Sequence, residues 1–124
     1  QKIIHFCQVL KDAHNLDNLR LVLNYPYIDL HIDSYPTELV YNDFKKFNTV
    51  NDKVSDNNTD SVIVILSKIF SFNYRYTYEL LKETEYISKI IHALIIKDKN
   101  IIRFFKQIEH ILNEYTKRRI GASP

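Results

Sequence analysis

Residues 59–115, TDSVIVILSKIFSFNYRYTYELLKETEYISKIIHALIIKDKNIIRFFKQIEHILNEY, read as four helices of graded length separated by short polar breaks. Asp60 stands as a cap before Ser61–Ser71. The run Val62-Ile63-Val64-Ile65-Leu66 in that segment is β-branched and by itself fits a buried strand as well as a helix, but its continuation through Ser67-Lys68-Ile69-Phe70 favours the helix. Asn73–Lys82 follows as a short helix. Thr84 is a capping candidate for the next, which is expected to run to Lys97 with Ile87, Ile90, Ile91 and Leu94 in one stripe. Tyr86, Ala93 and Ile96 widen that stripe, and a helix apolar on so much of its circumference belongs between neighbours. The last and longest helix, Lys99 to about Lys117, carries Ile101, Phe105, Ile108, Leu112 and Tyr115 on its inner face, flanked by Ile102, Phe104 and Ile111.

Working outward, the first half of the chain carries weaker versions of the same pattern. Lys2–Ala13 places Ile3, Phe6, Cys7 and Leu10 at helical spacing, and His14-Asn15 ends the run. Leu16–Asn24 follows as a short helix with Leu16, Leu19 and Leu23 on one side, stopped by Pro26. Tyr27–Asp33 alternates Ile28, Leu30 and Ile32 with Asp29, His31 and Asp33, the period of an extended segment, and an irregular helix fits it equally. Ser34 as cap and Pro36 in the first turn predict a helix over Pro36–Phe47. Residues 48–59, rich in Asn and Asp, form the clearest polar loop. Glycine occurs once, at Gly121, and proline only at Pro26, Pro36 and Pro124, so hairpin-rich β folds are disfavoured.

The chain has 124 residues, enough for one domain with a continuous core and no disulfide or metal support. Residues 1–124 read as that single helical domain, with 120–124 as a flexible tail. From the opening Gln1 and the absence of Met, a fragment of a longer protein is expected, or one whose beginning is missing. Seventeen Lys and Arg against fifteen Asp and Glu leave +2, a balance that does not argue for nucleic acid or an anionic membrane. The charge is uneven: from Lys97 onward seven cations face three carboxylates, +4, leaving −2 for the rest. Cys7, the only cysteine, excludes an intrachain disulfide, reads as core on an apolar face, and fits a reducing compartment. With no signal-peptide pattern and no run long enough for a membrane span, the chain is expected to be intracellular, cytoplasmic or nuclear.

The succession Ser61–Ser71, Asn73–Lys82, Thr84–Lys97 and Lys99–Lys117 resembles an armadillo or HEAT-like repeat preceded by the closing helix of the repeat before it. Ser67-Lys68-Ile69-Phe70 and Lys106-Gln107-Ile108-Glu109-His110-Ile111-Leu112 recur roughly 40 residues apart, about one repeat. Lys2–Ala13 and Leu16–Asn24 fit as remains of an earlier pair. The resemblance implies an all-α fold of short antiparallel helices stacked as an α-solenoid fragment, with an irregular helical bundle as the alternative. The glycine that armadillo repeats often carry between first and second helices is absent here.

The candidate sites follow from these faces. Arg103, Lys106, His110, Asn113 and Lys117 recur at three- and four-residue spacing opposite the apolar stripe of the last helix. The resemblance would place this face in a groove that binds another protein, as an acidic peptide or a helix, although any amphipathic helix has such a solvated face. Lys117, Arg118 and Arg119, with Tyr74, Arg75 and Tyr76, combine cations and aromatics as nucleic-acid binding does, which makes that the alternative partner. Cations at a helix C-terminus also complement its dipole, and tyrosines often pack between helices. Asp29, His31 and Asp33 on one face of an extended segment resemble a divalent-ion site, against the simpler reading of a polar edge over an apolar inner face. No phosphate loop, dinucleotide fingerprint or nucleophile elbow is present. The expectation is therefore a non-enzymatic interaction or scaffold module with no cofactor, no metal and no membrane association, whose exposed repeat ends allow self-association.

Overall fold

The C-terminal apolar stripe forms the wall on which the core is built. In the computed structural model, which describes residues 2–25 and 28–121, helix α6 (Lys99–Gly121) buries Ile101, Phe105, Ile108 and Leu112. Helices α4 (Arg75–Thr84) and α5 (Tyr86–Ala93) pack on it. Helix α3 (Asn58–Ser67) has Val62 to Leu66 all buried, and a 3₁₀ turn over Lys68–Ser71 adds Ile69 and Phe70. The β-branched run is thus a helix, as its continuation indicated. Helix α2 (Glu38–Lys45) covers α3 through Val40 and Phe44. The fold is all-α.

Several boundaries differ from the expectation. Helix α1 is one continuous element, Lys2–Asn24, so His14-Asn15 does not interrupt it; Asn15 points inward and its amide lies 3.4 Å from Ser71 Oγ. Pro26 and Tyr27 lie outside the described residues. The helix expected to reach Lys97 stops at Ala93, because Ile95–Ile96 (β2) leaves it to pair in parallel with His31–Ile32 (β1). The alternation around Ile32 is therefore extended, although only two residues enter the ladder. Residues 48–59 contain a 3₁₀ turn, Asp52–Val54, and the first turn of α3. At the C-terminus α6 continues past Lys117 through Ile120 and Gly121; residues 122–124 lie outside the described residues.

The caps also move. Asn57, not Asp60, caps α3, accepting the Asp60 amide at 2.8 Å, and Thr37, not Ser34, precedes α2. Asp60 is fully buried instead, accepting from the Thr37 amide at 2.7 Å, the Thr37 hydroxyl at 2.9 Å and the Asp56 amide at 3.0 Å. Its carboxylate so satisfies the start of α2 and ties it to α3. Thr84 does not cap α5; its hydroxyl donates back to Leu80 O. Glu85 makes the break between α4 and α5 in the left-handed region, φ 56° and ψ 32°, a conformation that glycine adopts without penalty.

A second buried carboxylate fixes α1. Asp12 accepts the amides of Asn73 at 2.8 Å and Tyr74 at 3.1 Å, the Asn73 side-chain amide at 2.9 Å and the Thr77 hydroxyl at 2.6 Å. Its charge meets the free amides at the start of α4, where negative charge is favourable. Helix α1 also contacts α3 and α5. In a linear solenoid each unit touches only its sequence neighbours. Contacts between the first helix and the fourth and fifth, with a ladder joining residue 31 to residue 95, do not establish a stack.

Candidate interaction surface

The two halves of α1 put their apolar side chains on opposite faces. From Leu16 onward they point inward: Leu19 and Val22 are buried, with Leu16 and Leu23 half-buried. At 3.6 residues per turn, Ile3, Phe6 and Leu10 point about half a turn away from that direction and from Asp12. They stand in solvent, Ile3 78%, Phe6 62% and Leu10 53% exposed, with Val9 on their groove side; Ile4, on a different side of the helix, is exposed as well. Cys7, expected in the core, is exposed for the same reason. What faces the body in this half is polar: the Tyr74 hydroxyl donates to Gln8 Oε1 at 3.0 Å and lies 2.6 Å from His5 Nδ1.

Alongside this stripe a groove of about 500 Å³ runs between α1 and the α4–α5 pair. Its walls are mainly Val9, Ala13, Leu16, Tyr76, Leu80 and Tyr86. Tyr76 is 67% exposed, and Val9 and Ala13 form the shared edge of groove and stripe. One end is marked by the Asp17–Arg20 ion pair at 2.7 Å, which raises the guanidinium pKa chiefly through that hydrogen bond. Neither stripe nor groove was identified as a site from the sequence. The apolar phase of Ile3, Phe6 and Leu10 does not continue into Leu16, Leu19 and Leu23, and in the sequence alone that break reads as a helix end at His14-Asn15.

The stripe proposed on α6 is assembled as expected along one face. Arg103, Lys106, His110, Asn113 and Lys117 are all exposed. Arg103 and Lys106 make no ion pair among the described residues, and Lys117 lies 3.4 Å from Glu114. His110, Asn113 and Lys117 border a more polar hollow of about 460 Å³ with Lys82, Glu85 and Glu114.

The cation and tyrosine set does not form one cluster. Tyr74 and Tyr76 face the α1 groove, and Arg75 pairs with Glu79 at 3.5 Å. Arg118 lies over the Phe47 and Tyr115 rings, and Arg119 lies over Tyr78 and Tyr115 and donates to the Tyr115 hydroxyl at 3.2 Å. Both guanidiniums are thus held against the aromatic wall of the fold. Tyr78 is fully buried and donates to Ile69 O at 2.7 Å; burial pushes its phenol far above the ordinary value, so it remains a donor.

Asp29 is occupied by its own loop. It accepts the His31 backbone amide at 3.0 Å and the Asn58 side-chain amide at 3.0 Å and lies 2.8 Å from His31 Nδ1; the His31 backbone bond is the main cause of its lowered pKa. His31 and Asp33 are exposed on either side of buried Ile32, which is the polar edge over an apolar inner face. Among the described residues no group of three His, Cys, Asp or Glu side chains is placed to hold a metal, and no helix is long and apolar enough to cross a membrane. No family model, no curated protein and no solved structure matches the chain, and its chemistry is read from its own side chains.

Proposed function

We propose that this chain is a non-enzymatic protein-interaction module that receives a partner helix in the groove between α1 and α4–α5. The observation that carries this reading is the continuity of that groove with the exposed stripe Ile3, Phe6 and Leu10. Chains that act alone rarely leave a contiguous apolar patch beyond a few hundred Å², and a helix in a groove recognises its partner through side chains at this spacing. The test places a photoreactive residue at position 13, on the shared edge, and identifies what it cross-links in cells. A cross-linked protein that is lost on Leu80→Glu supports the groove, whereas cross-linking unaffected by that change removes it.

The α6 stripe is the second candidate surface, suited to an acidic peptide. Charge reversal at Arg103 and Lys106 weakens such a partner without changing the melt, and an unchanged affinity takes the stripe out. Nucleic-acid binding through Lys117, Arg118 and Arg119 is the reading to which fluorescence anisotropy with labelled oligonucleotides would turn, if affinity fell steeply with salt. The engagement of Arg118 and Arg119 with ring faces argues against it. A reducing intracellular setting fits the single exposed thiol.

A further inference from the structure

We infer that the helix received by this groove is the N-terminal half of α1 from a second copy, laid antiparallel so that the two chains form a two-fold dimer. This identification of the partner rests on the docking reading above. Ile3, Phe6, Leu10 and Ala13 follow the three-four spacing of a two-helix seam. The seam points away from the body because Asp12, on roughly the opposite side of the helix, is held by α4. Stripe and groove share Val9 and Ala13, so each chain carries both halves of the contact next to one another. A two-fold axis then fills both grooves at once, which is the defining property of an isologous interface.

The side-chain sizes fit an axis near Gln8. That register sets Phe6 of one copy opposite Leu10 of the other, and Ile3 opposite the small Ala13 at the mouth of the groove. Charge is compatible. Lys2 and Lys11 are the only charged side chains before Asp12. Lys11 lies on the flank away from the groove, while Lys2 arrives near the turn that carries the partner copy's Asp17. The exposed apolar side chains of α1 offer on the order of 500 Å² per copy, and with the groove walls two copies reach the range of about 1,200 Å² in total where specific interfaces begin. An assembly of that size is a reversible one, expected to dissociate in the micromolar range of about 1–100 µM.

Sedimentation velocity across that concentration range tests the idea. The wild-type chain should shift from monomer to dimer, and Phe6→Lys or Leu10→Glu, both at exposed positions, should each weaken association at least about tenfold with unchanged melts. Because positions 6 and 10 face one another in this register, mixing the two variants should restore a one-to-one dimer. Cys7, the sole thiol, flanks the axis, so a short bismaleimide should join two wild-type chains but not the Phe6→Lys chains. A wild-type chain that stays monomeric, a dimer indifferent to Phe6→Lys, or variants that fail to recombine would each overturn the proposal. Binding of the stripe to anionic vesicles in place of self-association would overturn it too. If the chain is monomeric yet cross-links a different protein from position 13, the second copy is excluded and the docking groove stands; monomer without any cross-link removes both.

Discussion

Helices α1 and α6 are each 23 residues long and each spells an apolar stripe at helical spacing, yet α6 buries its stripe and the first half of α1 exposes it. The difference lies in what occupies the opposite face. On α6 the face opposite Phe105 and Ile108 carries Arg103, Lys106 and His110, which are all exposed. On α1 the face opposite Phe6 and Leu10 carries Asp12, whose carboxylate supplies the hydrogen bonds needed by the start of α4. Those charge-assisted bonds set the rotation of α1 about its own axis, and the apolar stripe is turned outward as a result. An apolar pattern therefore marks a helix reliably without saying which side of it the core will take.

The comparison breaks first at Asp12. Asp12→Ala leaves the part-buried Asn73 and Tyr74 amides and the buried Thr77 hydroxyl without their acceptor and should cost about 3–5 kcal/mol in urea denaturation, since several hydrogen bonds to a charged group, each worth about 1.5–3 kcal/mol, are lost together. A loss below about 1 kcal/mol would mean that packing, not the carboxylate, orients α1. Phe105→Ala on α6 should cost about 3–4 kcal/mol by opening a cavity in the core. Its counterpart Phe6→Ala on α1 should move monomer stability by no more than about 0.5 kcal/mol. Equal losses for these two phenylalanines would show that the α1 stripe is covered within the monomer.

A smaller effect of opposite sign is expected at the break between α4 and α5. Glu85→Gly relieves the left-handed backbone strain and should stabilise the fold by up to about 1 kcal/mol, after the greater freedom of glycine in the unfolded chain is set against it. The smallest effect concerns pH at Asp29. Its pKa is lowered in the folded chain, so its contribution is present above the ordinary carboxylate value of about 4 and is lost as pH falls through the folded value. The melting difference between wild type and Asp29→Asn should accordingly narrow on acidification, and a difference that widens would reverse the sign.

Much of the helical content was legible because Ile87 to Leu94 and Ile101 to Leu112 repeat a local period that burial of one face requires, whereas Val62 to Leu66 was legible as helix only through its continuation to Phe70. The end of α5 was not, because Ile95 and Ile96 are as apolar as the helix before them, and only the presence of His31 and Ile32 alongside turns them into a strand. The α6 candidates were legible as a face, being adjacent turns of one helix. The groove was not, because its walls come from α1, α4 and α5, whose proximity no local pattern records. Tyr74, Arg75 and Tyr76 with Lys117, Arg118 and Arg119 show the converse: residue types that suit one chemistry, with the tyrosines directed to one groove, Arg75 paired with Glu79, and Arg118 and Arg119 laid on a different aromatic wall.

By itself the sequence determined that this protein is helical, where most of its helices lie and which faces are apolar, since these depend on spacing within a few turns and on the near absence of glycine and proline. Tertiary structure decided that the two halves of α1 form a single helix, that Asp12 and Asp60 are internal acceptors, and that Ile3, Phe6 and Leu10 meet solvent. The physical reason is that a buried carboxylate must find donors wherever the chain places them, and the donors of Asp12 lie some 60 residues away, at Asn73, Tyr74 and Thr77.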